Sequence, residues 1–418
     1  MKNIAIIGSG IAGLTSAHLL AKKHQVKVFE KNNYIGGHTA TVDVTIDGQT
    51  LAVDTGFIVF NDRTYPKFEK LLASIGIGRQ PTQMSFSVHH CDTGFEYNGH
   101  TLSTLFAQRR NLLRPKFWHL LWQIVRFNRI CKDMYKSGDF QQGDTLGEFL
   151  DRHGFNDFFR QHYILPMGAA IWSTSLKQMN DFAIDFFVRF FYHHGLLDIT
   201  NRPQWYVIPG GSREYIAPLT ESFKEQIELG AHIDRVERKE QGVVIHLNDG
   251  RSEHFDAVVF ACHSDQALAL LADASEAEQQ VLGAIPYTAN SVVLHTDSSL
   301  LPKRPAAWAS WNYRLDNNVD RAAVVTYNMN ILQGLSSEQP LCVTLNGDEV
   351  IAEEHILRHF TYHHPVFNQQ SLRAQQRRDE INGKQHTYFC GAYWYNGFHE
   401  DGVRSAVDVA KALGVDFD

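Results

Sequence analysis

Three groups of residues in this chain have types and spacings that could do chemistry: a glycine turn, a carboxylate and several histidines. Gly8-Ser9-Gly10-Ile11-Ala12-Gly13 follows the apolar run Ile4 to Ile7 and precedes a helical stretch, Leu14 to Lys22. Between strand and helix such a turn cradles a pyrophosphate. Gly8 allows the sharp turn, Gly10 lets backbone N–H groups approach the phosphates, and Gly13 lets the helix pack close to the strand. Ile11 and Ala12 open the helix, whose N-terminus brings partial positive charge to the anion. Glu30 closes a second strand, Val26 to Phe29, and lies 20 residues after Gly10, where a carboxylate accepts the hydroxyls of an adenosine ribose. The pattern predicts a bound dinucleotide; NAD and FAD share it.

The histidines invite a metal reading. His355, His359 and His363 recur every four residues with His364 adjacent, and on a helix the first three would share a face. Pro365 ends any helix there, and no cysteine or HExxH accompanies them, so no metal site is expected. No GxSxG elbow is present, which disfavours acyl-transfer hydrolysis.

The elements that must position these groups make a large globular chain. Its 418 residues are 44% hydrophobic and 20% charged, which excludes disorder and fibrous repeats. A net charge of −7 argues against a nucleic-acid partner. Aromatic residues at 12% suit a big core or an apolar ligand tunnel. Five scattered cysteines without a CxxC pair point to a reducing compartment. With no apolar stretch of membrane-spanning length and no signal-peptide pattern, the expectation is a cytoplasmic protein.

Asp47-Gly48 marks a hairpin between Thr41–Ile46 and Thr50–Val53, which leads into Asp54-Thr55-Gly56-Phe57. Ala231–Val236, Gly242–Leu247 and Ala257–Ala261 read as strands, and Arg404–Leu413 as a final helix with Gly414 as its cap. Residues 100–200 are helix-rich and aromatic. Ser291–Thr296, Ala322–Met329 and Leu341–Leu345 alternate like strands of a mostly antiparallel sheet.

The segment after Glu30 separates the two dinucleotides. Lys31-Asn32-Asn33-Tyr34-Ile35-Gly36-Gly37-His38 forms an ExxxxxGG extension that resembles the flavoprotein superfamily of amine oxidases, phytoene desaturases and protoporphyrinogen oxidases. Pro209-Gly210-Gly211 and the carboxyl-terminal Gly391-Ala392 … Gly397-Phe398-His399-Glu400-Asp401-Gly402-Val403 carry the same resemblance. Gly36-Gly37-His38-Thr39, Val53-Asp54-Thr55-Gly56-Phe57 and the Gly397–Gly402 segment resemble most closely bacterial FAD oxidoreductases similar to the amino-terminal half of plant cyclopropane-fatty-acid synthases.

The resemblance implies FAD as cofactor and an α/β fold: a Rossmann-type, glutathione-reductase-like FAD domain (1–80, 203–285 and 380–418) with an inserted α+β substrate domain (81–202 and 286–379). It implies that Gly37 passes the pyrophosphate, with Lys31 and His38 beside it, that Thr55, Gly56 and Phe57 run close to the flavin, and that Val236 holds the adenine. It implies that Gly391, Gly402 and Val403 meet the pyrophosphate and ring, with a helix starting at Gly402. Two departures stand out: His38 and Ala392 occupy positions where arginine and an acid are usual. His399 is the catalytic candidate, able to shuttle a proton near neutral pH, or else a histidine bonded to backbone or ribityl oxygen. Tyr393, Trp394 and Phe398 would line the substrate pocket or serve as ordinary core aromatics.

Residues 109–136 hold eight basic residues and only one acid, Asp133. Leu113, Phe117, Leu120, Leu121, Ile124 and Cys131 form an apolar stripe at helical spacing, with Trp118 and Trp122 beside the arginines. The segment reads either as a core helix with snorkelling arginines or as a helix lying on an anionic membrane, peripheral at the inner face. The leading expectation is an FAD-dependent oxidoreductase that dehydrogenates an apolar substrate such as a lipid acyl chain. The alternatives are a flavin amine oxidase and a redox-silent flavin isomerase or scaffold assisting a lipid methyltransferase.

Overall fold

The computed structural model describes residues 1–418 except 47, 142, 317, 319, 321 and 418. Its first sheet begins with β1 (Asn3–Ile7), buried from Ile4 to Ile7 as a parallel strand covered on both faces must be. Gly8 turns the chain into α1 (Ile11–Leu20), and β2 (Gln25–Glu30) returns parallel to β1 with Ile4 opposite Val26. The strand order is Ile227–Leu229, β2, β1, Ala257–Phe260, Thr387–Phe389, all parallel. This sheet therefore gathers strands from the start, the middle and the end of the sequence.

β3 (Thr41–Ile46) and β4 (Gln49–Asp54) form a hairpin with Ile46 opposite Gln49. The expected turn residue Asp47 lies outside the described residues; Gly48 supplies a φ of +76°.

The second sheet has seven strands in the order Ile356–Pro365, Tyr287–His295, Cys342–Leu345, Val324–Asn328, Trp311–Leu315, Phe86–His90, Glu96–Asn98. It is antiparallel except where Trp311–Leu315 runs parallel to Phe86–His90. His359 and His363 lie on this sheet's edge strand, Ile356–Pro365, and His355 just ahead of it, so the face they would share on a helix does not form. Pairing along the whole of Tyr287–His295 overrides the four-residue spacing. Among the described residues no group of three or more ligating side chains is placed to hold a metal.

Helices cover this sheet. The longest, α2 (Pro115–Ser137), starts with proline at its first position and ends at Gly138 with φ +71°. It buries Phe117, Leu120, Phe127 and Cys131 in a core shared with Phe149, Phe159, Phe187 and Phe191 and with Val88, Val292 and Val325 of the sheet. Leu113, expected in that stripe, is 88% exposed, because it ends a separate 3-10 turn, Arg109–Leu113, ahead of the helix. No helix among the described residues is long and apolar enough to cross a membrane.

The last helix, α3 (His399–Ala412), packs Val403 and Val409 into the core that holds Leu14 and Ala17 of α1. It starts five residues before the expected Arg404 because Asp401 Oδ2 accepts the Phe398 N–H at 2.9 Å and so closes the first turn. The α/β architecture agrees with the expected fold class.

Candidate functional site: a cavity shared by both sheets

A cavity of about 990 Å³ extends from the Gly8 turn to the far side of the seven-stranded sheet. At its first end the chain is shaped to receive a phosphate-bearing ligand. Gly8 holds φ +106°, and a Cβ on Gly13 would sit 1.9 Å from the Gly8 carbonyl oxygen, so helix and strand touch there through bare backbone. A Cβ on Gly10 would meet no protein atom within 4 Å. The space beside Gly10 is cavity, bounded by the N-terminus of α1, and fits a pyrophosphate.

Glu30 is 6% exposed and already oriented. Its Oε2 accepts from the Ser9 N–H at 2.9 Å and the Ser9 hydroxyl at 2.7 Å, and its Oε1 accepts from the Asn32 N–H at 2.9 Å and the Asn32 side-chain amide at 2.8 Å. Ribose hydroxyls would share this carboxylate with Ser9 and Asn32 rather than own it.

Two loops press together where the cavity turns toward the second sheet. A Cβ on Gly56 would lie 2.2 Å from the His38 carbonyl oxygen, which accepts the Phe57 N–H at 2.8 Å. The Phe57 ring then stacks on His399, centroids 3.5 Å apart at 13°. His399 Nε2 lies 3.2 Å from the Thr39 hydroxyl and 3.3 Å from the Tyr215 hydroxyl, and those two hydroxyls bond each other. Burial, and after it the repulsion His38 would exert if both rings were protonated, drives the His399 pKa well below its ordinary value. His399 therefore reaches the cavity wall as a neutral ring whose Nε2 is turned to protein hydroxyls.

His38 differs. Its ring lies 5.1 Å from Tyr362, 5.5 Å from His364 and 6.4 Å from His263, centroid to centroid. Its Nε2 is buried with no hydrogen-bond partner. Burial, then repulsion from His363, lowers His38 to about 4; burial and mutual repulsion lower His263 and His364 to about 3. His38, His263, His363 and His364 all line the cavity. Sequence spacing could not show this cluster, because it comes from three distant segments, two following strands of the first sheet and one on the edge strand of the second.

Of the expected site residues, Gly8, Gly10, Ile11, Ala12, Glu30, Lys31, Gly37, His38, Thr55, Gly56, Phe57, Gly391, Tyr393, Phe398 and His399 line the cavity. Gly13, Val236, Trp394, Gly402 and Val403 do not. Val236 is fully buried and its carbonyl accepts the Ala272 N–H at 3.0 Å, while Ile233 of the same strand lines the cavity. Trp394 is 2% exposed, packed beside Tyr393 at 5.0 Å with the Arg378 guanidinium 5.3 Å from its ring. Gly402 faces α1, where a Cβ would come 2.7 Å from Ile11 Cγ2, and Val403 is core. They hold the wall from behind.

The family model for flavin-containing amine oxidoreductases matches residues 11–308. The chain belongs to that family. Its cofactor is FAD, and the flavoprotein is an FAD-dependent oxidoreductase. Over 45 residues it is 56% identical to a 1-hydroxycarotenoid 3,4-desaturase of Flavobacterium sp., covering 10% of this chain and 9% of that protein. Over 180 residues it is 27% identical to a carotenoid phi-ring synthase of Chlorobaculum tepidum, covering 37% and 28%. The matched parts thus span less than a third of either curated relative. The fold is that of a cyclohexylamine oxidase from Brevibacterium oxydans (TM-score 0.69, 15% identity, 99% of both chains) and of a CLA-producing fatty acid isomerase from P. acnes (TM-score 0.68, 16% identity, 99% of both chains). At these identities the likeness is one of fold alone. It agrees with the flavin the cradle fits: the flavoprotein would hold the dinucleotide on the α1 N-terminus, Glu30 and the Gly36–His38 loop.

Proposed function

We propose that this oxidoreductase dehydrogenates a long apolar substrate of the lipid acyl-chain kind. One observation carries the reading. Beyond the dinucleotide end the cavity continues between Tyr163, Ile171, Phe190, Trp311, Tyr327 and Leu345 toward Gly99 and Arg202, and among its described lining residues the only carboxylate is Glu30. An apolar chain gains from burial along such a wall. A cationic amine would find no counter-charge there, and burying it unpaired is costly. Nor is there a slot for a neutral amine between Phe398 and Phe190, whose rings stack on each other at 5.3 Å and 25°.

The redox chemistry, hydride acceptance from carbon, is what FAD would supply when bound on the α1 N-terminus, Glu30 and the Gly36–His38 loop. The chain's own residues bind, orient and handle the proton. The aromatic wall excludes water and aligns the chain. His38, whose buried Nε2 has no hydrogen-bond partner, belongs to the cavity wall and is the group proposed to take a proton. His399, stacked on Phe57 and bonded toward Tyr215, fixes that part of the wall, so both His399 and Tyr215 act as positioning residues.

The test is anaerobic mixing of the yellow holoprotein with fatty acids, phospholipids and a polyamine panel. Bleaching by acyl lipids, with a product lighter by two hydrogens, supports dehydrogenation. Bleaching by amines overturns it. A lipid recovered with a shifted double bond and no bleaching makes the protein an isomerase.

A further inference from the structure

We propose that the surface formed by residues 99–129 docks on an anionic lipid bilayer, with the cavity opening into the docked face. That the bilayer delivers the substrate rests on the acyl-lipid reaction proposed for the cavity; the docking itself does not.

Six of the ten large apolar side chains exposed among the described residues fall in this one stretch. Leu102 is 77% exposed, Leu112 47%, Leu113 88%, Trp118 50%, Trp122 55% and Val125 52%. They are contiguous: the Trp118 Nε1–H donates to the Leu112 carbonyl at 2.9 Å, and its ring lies 5.5 Å from Phe106, one turn after Leu102. Trp118, Trp122, Val125 and Arg129 repeat at helical spacing along the solvent side of α2. The opposite side of the same helix fills the core with Phe117, Leu120 and Phe127. The fold therefore does not need the exposed stripe, and clustered apolar surface of this kind marks an interaction site.

Charge selects the occupant. Arg109, Lys116 and Arg129 are exposed on this face and pair with no carboxylate among the described residues, although the whole chain carries −7. A second copy related by a two-fold axis would bring these cations against their equivalents. An anionic bilayer neutralises them while accepting the leucines and tryptophans at its headgroup boundary.

The cavity ends at the same place. Among its lining residues on the substrate side, Gly99 and Arg202 are exposed and mark the mouth. Gly99 lies three residues before Leu102, and Thr104 of the adjoining turn bonds the Asn98 carbonyl at 3.2 Å. A chain leaving the bilayer beside Leu102 would enter the aromatic wall without crossing water.

The experiment is co-sedimentation of the FAD-loaded protein with vesicles of phosphatidylcholine alone and of phosphatidylcholine with phosphatidylglycerol. Wild type should sediment with the mixed vesicles only, be released by high salt, and show tryptophan quenching by brominated lipid. The double variant Leu113→Ser/Val125→Ser alters two side chains that make no core contact; it should bind about tenfold more weakly or worse, with FAD content and thermal stability unchanged. Binding that is absent from both vesicles, equal on both, or unchanged in the variant overturns the proposal. So does a dimer that the variant dissolves, which would assign the face to a second copy. Because no turnover is read, failure here leaves the proposed reaction standing, and failure of the reaction leaves the docking standing.

Discussion

Gly402 and Ile11 touch across the two ends of the chain: a Cβ on Gly402 would come within 2.7 Å of Ile11 Cγ2, the first residue of the helix that faces the dinucleotide cradle. The carboxyl-terminal helix thereby sets the position of the amino-terminal one. Gly402→Val should force them apart at a cost of about 1–3 kcal/mol and tilt the α1 N-terminus away from the phosphates. The expected result is a folded protein purified with much less flavin, read from the ratio of visible to ultraviolet absorbance. Full flavin content in that variant would show that the contact does not govern the cradle.

Glu30 gathers four donors from Ser9 and Asn32 and so fixes the cradle's rim. Removing a charged acceptor of this kind costs about 1.5–3 kcal/mol. Glu30→Ala should weaken FAD binding by about 10- to 100-fold, measured by titrating stripped protein with FAD. Glu30→Gln should recover part of it, since one amide oxygen still accepts.

Acid should destabilise the protein through its buried histidines. His38, His162, His194 and His295 are lowered to about 4 and His263 and His364 to about 3, in each case chiefly by burial, from 6.5. Unfolding lets these rings take protons that the fold denies them. Stability is thus fully present above about 6.5 and lost as pH falls toward 4. Asp54 and Asp401 oppose this, because burial raises them to about 6 and about 7 and their contribution is lost as pH rises from about 4 to those values. Six groups against two predict a melting temperature that falls between pH 7 and pH 5. His364→Gln should flatten that slope.

The local motifs are legible in the sequence; the assembled site is only partly so. The Gly8–Gly13 turn, Glu30 and the β3–β4 hairpin are built from neighbours in the chain, so spacing and turn chemistry suffice. The start of α3 escapes such reading because the cap comes from Asp401, inside the helix, rather than from a polar residue ahead of it. The histidine cluster depends on the Ile356–Pro365 strand meeting the loops of His38 and His263, which is long-range topology. The sequence already sets Trp118 and Trp122 apart from the apolar stripe of α2, but what the stripe meets is long-range packing: Phe117, Leu120 and Cys131 enter the core while the tryptophans stay exposed.

Arg202 stands at the cavity mouth with its Nε donating to the Asp198 carbonyl and no carboxylate partner among the described residues. For an acyl substrate with an anionic head, that guanidinium is the counter-charge nearest the entrance. Arg202→Gln should raise KM for such substrates about tenfold, as one charged hydrogen bond is worth, and leave kcat and the affinity for an uncharged long-chain analogue unchanged. An equal rise for both would reduce Arg202 to a structural role.

The most direct measurement is mass spectrometry of the small molecules released when freshly purified, anaerobic protein is denatured. The account predicts FAD together with a long-chain lipid, and loss of the lipid but retention of FAD when a bulky Trp replaces Ile171 in the aromatic passage. FAD accompanied by an amine, or a passage whose obstruction changes neither lipid content nor flavin bleaching, would contradict it.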